Sequence, residues 1–405
     1  MARIAFLMPP YRSHAAVHGA LAARLAGRGH EVIFVGPPAL QPHAQREGAG
    51  FQPFRGPAQA GRIGGGPAGF ARLLRDTARA TRAHALDGPA ALRAARADIA
   101  VVDEMEPGGS LAADAAGVPR VTLAASLPLR RDPGMPPPYV GWDWREGEDG
   151  VRRAEGAWRV SDWLMTAQRR ALAEGCRLHG LPVRDRPSDW IGAEGSVAQW
   201  IAALDFPRPQ PVGPVVGPIR RPVAAAADPP LFDGAPYVFA SLGTIAGGRL
   251  RLFTVIARAA RLAGVNVAVA HCGGLSPAQA AALTAIWPGR IDVRAFFDQL
   301  PAIRGAAAVV THGGLNTVLD AAGFGVPMVA LPLGNDQNGI AARLRRAGAA
   351  ITLSPRRVTP DSLAAAIASV TTDPRWRAAL DPARAEIAAA GGADAAADAV
   401  EGALR

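Results

Sequence analysis

The sequence predicts an α/β protein built from two doubly wound parallel-sheet units, and three observations carry that expectation. Short apolar runs at 4–8, 99–102, 237–241 and 307–311 lack the alternation of a half-exposed strand and read as strands covered on both faces. Between them lie stretches with apolar residues at helical spacing, the alternation that a parallel sheet requires. The chain has 405 residues, beyond the length at which one core keeps growing, and a Pro- and Ala-crowded stretch at 207–236 divides it.

Composition narrows the partners. The hydrophobic content of 49% is ample for packed cores, and the net charge of +10 comes entirely from arginine, since the chain contains no lysine. Residues 1–220 hold 27 Arg against 21 acids and residues 221–405 hold 17 against 13, so the excess of +6 and +4 is spread rather than gathered. Spread charge does not make a nucleic-acid face. No apolar run reaches the roughly 20 residues of a spanning helix. The run at 3–8, stopped by Pro9-Pro10, is too short for a signal-peptide core, so a cytoplasmic protein is expected. Cys176 and Cys272 are far apart and read as buried thiols.

In the first unit, 4–8 is a strand, Pro9 to His14 its exit loop, 15–28 a helix closed by Gly29, and 31–35 the next strand. No GxGxxG follows, so a dinucleotide is not expected. The glycines at 61–69 follow no strand and are expected in a surface loop. Helical character at 70–97 leads to the strand at 99–102 and to Asp103-Glu104-Met105-Glu106-Pro107 at its exit. Open α/β sheets take ligands outside the carboxyl ends of their strands, so His14 and Asp103 fall on one edge. The segment 127–148, with Pro136-Pro137-Pro138 and Trp142-Asp143-Trp144, reads as an irregular loop whose exposed tryptophans suit a lid over an apolar ligand. Residues 158–176 read as one amphipathic helix, with Trp163, Leu164 and Met165 either lining that cavity or packing in a core.

The second unit opens with the strand Tyr237–Ser241, after which Ser241 and Thr244 can offer hydroxyls to a phosphate lying between the units. Helix 251–263, strand 266–270, helix 276–286 and strand 291–295 follow. His271-Cys272 cannot aim two donors at one ion, so no metal is expected there. The strand at 307–311 ends at His312-Gly313-Gly314, after which Leu315, Val318, Leu319 and Ala322 recur at helical spacing. Residues 313–317 are therefore a helix N-terminus, whose free amides and dipole suit a diphosphate, with two glycines expected to admit the ligand. The next strand, 326–333, leads to Asp336 and Gln337, a carboxylate and an amide suited to hydroxyl groups. A phosphate site beside a hydroxyl-reading pair suggests a nucleotide sugar.

The residues FFDQ at 296–299, HGGLNTVLD at 312–320 and DQ at 336–337 resemble the donor signature of UDP-dependent family 1 glycosyltransferases. The resemblance implies two Rossmann-like domains facing across a cleft, the GT-B fold: an acceptor domain at 1–210, a nucleotide-sugar domain at 211–385, and a last helix at 386–405 crossing back onto the first. It implies that Phe296 stacks on uracil, in place of the tryptophan of plant members, and that Gln299 lies beside base and ribose. His312, Gly314, Asn316 and Thr317 would hold the diphosphate, Asp320 the ribose, and Asp336 and Gln337 the sugar. Leu315 stands where plant members carry a second tryptophan. His14 and Asp103 match the positions of the family's catalytic dyad.

Further segments, among them VVDEMEPGGSLAADAAGVP at 101–119 and FASLGT at 239–244, are similar to bacterial zeaxanthin glucosyltransferases over nearly the whole chain. That resemblance implies inverting transfer of glucose from UDP-glucose to the hydroxyls of zeaxanthin, with no metal or other cofactor. His14 would act as general base, oriented by Asp103, while amides and hydroxyls meet the charge on departing UDP. An acceptor dissolved in lipid implies transient contact with a membrane surface. Two other readings stay open: a transferase of the same fold acting on a polyketide, macrolide or other apolar alcohol, and a silent nucleotide-sugar-binding partner, whose mark would be loss of His14.

Overall fold

The computed structural model describes residues 1–56, 66–191, 195–209, 213–221 and 231–404. Within these, twelve strands form two parallel sheets of six. The first contains β1 (Arg3–Leu7), β2 (Glu31–Gly36), β3 (Gly50–Pro53), β4 (Ile99–Asp103), β5 (Arg120–Ala124) and β6 (Ser196–Ala198). The second contains β7 (Tyr237–Ser241), β8 (Asn266–Ala270), β9 (Ile291–Arg294), β10 (Ala308–Thr311), β11 (Met328–Ala330) and β12 (Ala350–Thr352).

Their orders are β3-β2-β1-β4-β5-β6 and β12-β11-β10-β7-β8-β9. Numbered from its own start, the second sheet runs 6-5-4-1-2-3, the same doubly wound order as the first. Each sheet therefore has one point where strand order reverses, between β1 and β4 and between β7 and β10. Crevices open there at the strands' carboxyl ends. The central strands are long in apolar residues because both faces are covered. Ile4, Ala5, Phe6 and Leu7 are wholly buried, as are Val309 and Val310.

Two sequence expectations shift locally. Helix α1 covers Arg12–Gly27, so His14 sits in its first turn and not in a loop. The helix expected at 158–176 is two helices, Gly147–Leu164 (α2) and Thr166–Leu178 (α3), meeting at Met165. The strand expected at 326–333 shortens to Met328–Ala330, and helix begins at Gly66 inside the expected glycine loop. Gly61 to Gly65 of that loop, and the expected domain boundary at 210–211, lie outside the described residues.

The last helix, α6 (Gly392–Gly402), lies against α1; two further helices of the second half, α4 (Leu315–Gly323) and α5 (Gln337–Arg346), carry site residues. Ala396, Ala397 and Val400 of α6 join the cluster of Ile4, Val17 and Leu21. Small side chains let the helix axes approach, and ionic contacts fix the register: Arg28 reaches Asp398 at 2.6 Å and Glu401 at 2.9 Å. Such exposed pairs add little energy individually.

The Pro- and Trp-rich loop does not stand free as a lid. Pro138 approaches Gly339 so closely that a Cβ there would lie 2.0 Å from the Pro138 carbonyl oxygen. Arg345 pairs with Asp143 at 2.7 Å, and buried Arg343 reaches Asp205 at 2.5 Å with its guanidinium 4.3 Å from the Phe206 ring. The loop is thus pinned to α5 of the second half. Trp144 packs on Phe206, centroids 5.3 Å apart, and only Trp142 of the expected exposed pair is exposed.

Candidate active site

At the reversal point of the first sheet, β1 feeds α1 and β4 ends at Asp103. The Asp103 Oδ2 accepts from His14 Nδ1 at 2.7 Å and from His18 Nε2 at 2.9 Å. Its other oxygen accepts from the Met105 backbone N–H at 2.9 Å. Burial opposes the charge on Asp103, but the two imidazoles outweigh it and hold the carboxyl well below its ordinary value. Burial likewise pulls His14 down, yet the charge and hydrogen bond of Asp103, with a contribution from Asp336, leave it raised above 6.5. A hydrogen on Nδ1 directed at Asp103 leaves Nε2 as the basic nitrogen, the arrangement a general base needs.

His18 was missing from the expected site although the sequence carries a signal for it. Once a helix covers His14, position 18 lies one turn on along the same face. Two more carboxyls crowd the same exit. Burial pushes Glu104 up to about 7, while Leu129 N–H donates to it at 3.0 Å. Burial and the charge of Asp103 push Glu106 up to about 8. His84, driven down to about 4 by burial, gives its Nδ1 hydrogen to the Ala80 carbonyl at 3.0 Å. Glu106 and His84 therefore meet as neutral groups near pH 7.

The second sheet's reversal point places Ser241 opposite His312. Gly314 is the N-cap of α4, and no side chain caps the helix or puts an acid in its first turn. Gly314 also has a second, structural purpose, shared with Gly243. A Cβ at Gly314 would lie 2.5 Å from His312 Nε2, and one at Gly243 would lie 2.6 Å from the same ring. They make room for the imidazole, and Gly313 supplies a left-handed turn at φ +83°. Gly313 N–H is also engaged already, by Thr311 Oγ1 at 3.1 Å, so the free amides begin at the helix itself. Burial lowers His312 to about 4, and its Nδ1 is buried with no partner.

The other expected donor residues are brought together, several already engaged. Asp320 is held at both oxygens, by Gln299 Nε2 at 2.7 Å and by Arg220 Nε at 2.9 Å, so it is not free for ribose as it stands. Arg220 also donates to the Asn316 carbonyl at 3.1 Å. It comes from the stretch between the sheets, where nothing in the sequence marked it. Asn316 gives its side-chain amide to the Ser13 carbonyl at 3.2 Å, across to the first half. Gln337 Oε1 accepts from Leu333 N–H at 2.8 Å and Gly334 N–H at 3.2 Å, leaving only its amide nitrogen for a ligand. Ser241 is buried, Thr244 and Phe296 are exposed, and Thr317 is buried in α4.

Asp336 decides how the two edges relate. It accepts weakly from Leu127 N–H of the first half at 3.4 Å, and its charge acts on His14. His14 and Asp336 therefore feel one another across the cleft, and burial keeps Asp336 raised.

Similarity runs the length of the chain. A zeaxanthin glucosyltransferase from Pseudescherichia vulneris is 36% identical over 411 residues, covering 100% of this chain and 98% of that one. The chain belongs to the glycosyltransferase family of the bacterial zeaxanthin glucosyltransferases. A second such enzyme, from Pantoea ananas, is 31% identical over 99% of this chain and 96% of its own. Residues 261–401 match the model of the erythromycin biosynthesis protein CIII-like C-terminal domain. The solved glycosyltransferase of kitacinnamycin superposes with a TM-score of 0.76 at 22% identity, covering 100% of this chain and 99% of that one. The fold of this glycosyltransferase is accordingly GT-B.

Proposed function

We propose that the protein transfers glucose from UDP-glucose, with inversion, to the hydroxyl groups of zeaxanthin. The observation that carries this is the His14–Asp103 pair facing Asp336 across the cleft, in a chain similar over its whole length to enzymes named for that acceptor. In this reading His14 Nε2 takes the acceptor's proton as its oxygen attacks the anomeric carbon, and the bond to UDP breaks on the opposite face. Asp103 stabilises the imidazolium that forms. The α4 amides and His312 meet the charge on the diphosphate, so the reaction is expected to survive EDTA.

The acceptor rests on the first half, because the family model matches only 261–401, covers none of residues 1–210 and carries no information about what enters there. Incubation with UDP-glucose and zeaxanthin should give mono- and diglucosides by mass, with β-linked glucose by NMR. Glucosides of a macrolide or polyketide but not of zeaxanthin would move the protein to the alternative acceptor class. Asp336→Asn should weaken UDP-glucose while sparing UDP in calorimetry; equal loss for both would remove the sugar contact.

No helix among the described residues is long and apolar enough to cross a membrane. We place reversible membrane contact on α2, where Val160 and Trp163 are 57% and 72% exposed one turn apart beside exposed Arg159. Flotation with anionic vesicles should weaken with salt and with Trp163→Ser. A protein that never floats yet glucosylates vesicle-embedded zeaxanthin would overturn this placement.

A further inference from the structure

We propose that Arg12 is a donor-binding residue supplied by the first half, resting on the Phe296 ring in the free protein and passing to the diphosphate when a nucleotide base takes that ring. This rests on the reading of the second half as a nucleotide-sugar site.

Arg12 opens α1, and its guanidinium lies 4.3 Å from the centroid of Phe296 across the cleft. The ring is 48% exposed, so it is a platform rather than a core residue. A base cannot stack on that face while the guanidinium covers it. Among the described residues Arg12 makes no hydrogen bond or ion pair, although its side chain is exposed and free to turn.

Its position is electrostatically poor. A cation in the first turn of a helix meets the positive end of the dipole, and no acid in that turn of α1 compensates. Helix α4 also begins without an acid, and Asn316 of its first turn is tied to Ser13 of α1 at 3.2 Å. The two positive helix ends are thus tied together, and the α4 end lies against His312, whose Nδ1 is buried without a partner. His43 and Cys272 also feel the charge of Arg12, and burial favours the neutral form of both. The nearby carboxylate, Asp103, is engaged by His14 and His18, so the positive potential of these helix ends suits a diphosphate. Transfer of Arg12 from ring to phosphate would couple base stacking to charge neutralisation, drawing the halves together on the donor.

Calorimetry with uridine and UDP on the wild type, Arg12→Gln and Arg12→Lys, each at low and high salt, tests this. Arg12→Gln should weaken UDP about tenfold and flatten its salt dependence, as loss of a charge-assisted contact does. Uridine binding should hold or tighten, because its platform is cleared, and Arg12→Lys should recover part of the UDP affinity. Unchanged UDP binding in Arg12→Gln, or equal weakening of uridine and UDP, would overturn the inference while leaving the donor site standing. Failure of the wild type to bind UDP would remove both.

Discussion

At the end of β4 the chain carries Asp103, Glu104 and Glu106 within four positions, all buried, and resolves their charges with His14, His18 and protonation. After β10, the topologically equivalent strand of the other sheet, it carries His312, Gly313 and Gly314 and no formal charge near neutral pH. One crevice is made from side chains whose proton affinities are displaced; the other from backbone amides, small residues and a neutral imidazole. The contrast follows from what each must do. Moving a proton needs a group poised to titrate, whereas holding an anion needs positive potential that does not titrate away.

The comparison breaks most visibly at His14. His14→Ala should lower transfer by about 10²–10⁴, while UDP affinity by calorimetry stays near wild type. A variant that kept its turnover would assign the proton to another group. Asp103→Asn should fall in the same direction and also shift the pH profile. With the charge present, His14 is protonated below a value above 6.5, so activity should rise with pH through an acidic limb there. Without it, burial dominates and the limb should move to lower pH; an unmoved limb would mean that Asp103 does not set the imidazole's basicity.

In the second half the sharper test is Arg220. Arg220→Gln leaves the carboxylate of Asp320, 5% exposed, without its cation. We expect UDP binding about tenfold weaker, of the order of one charge-assisted hydrogen bond, together with a lower melting temperature. Retained affinity would show that Asp320 needs no support to serve the donor. The smallest effect is on stability alone. The folded protein keeps a proton on Glu106 up to about pH 8 that the unfolded chain releases near 4.5, so this stabilisation is full below 4.5 and declines as pH rises to about 8. Glu106→Gln should flatten that decline by a few degrees of melting temperature. An identical pH dependence in the variant would mean that Glu106 is ionised when folded.

The sequence by itself determined the central strands, because a strand covered on both faces must be a continuous apolar run, and Tyr237–Ser241 and Asn266–Ala270 were readable to the residue. It also placed His14, Asp103, His312 and Asp336 at strand exits, since those runs end abruptly in polar or glycine residues. Short flanking strands such as Gly50–Pro53, Arg120–Ala124 and Ser196–Ala198 were not legible: three to five residues carry too little periodicity, and pairing with a neighbour is what makes them strands. Only the tertiary structure decided the identical winding of the two sheets, the sharing of Asp103 by two histidines, the capture of Asp320 by Arg220 and the contact of Arg12 with Phe296. The three side-chain contacts join positions 85 or more residues apart, and the direction of a side chain over that distance is set by how layers pack, which no local pattern encodes.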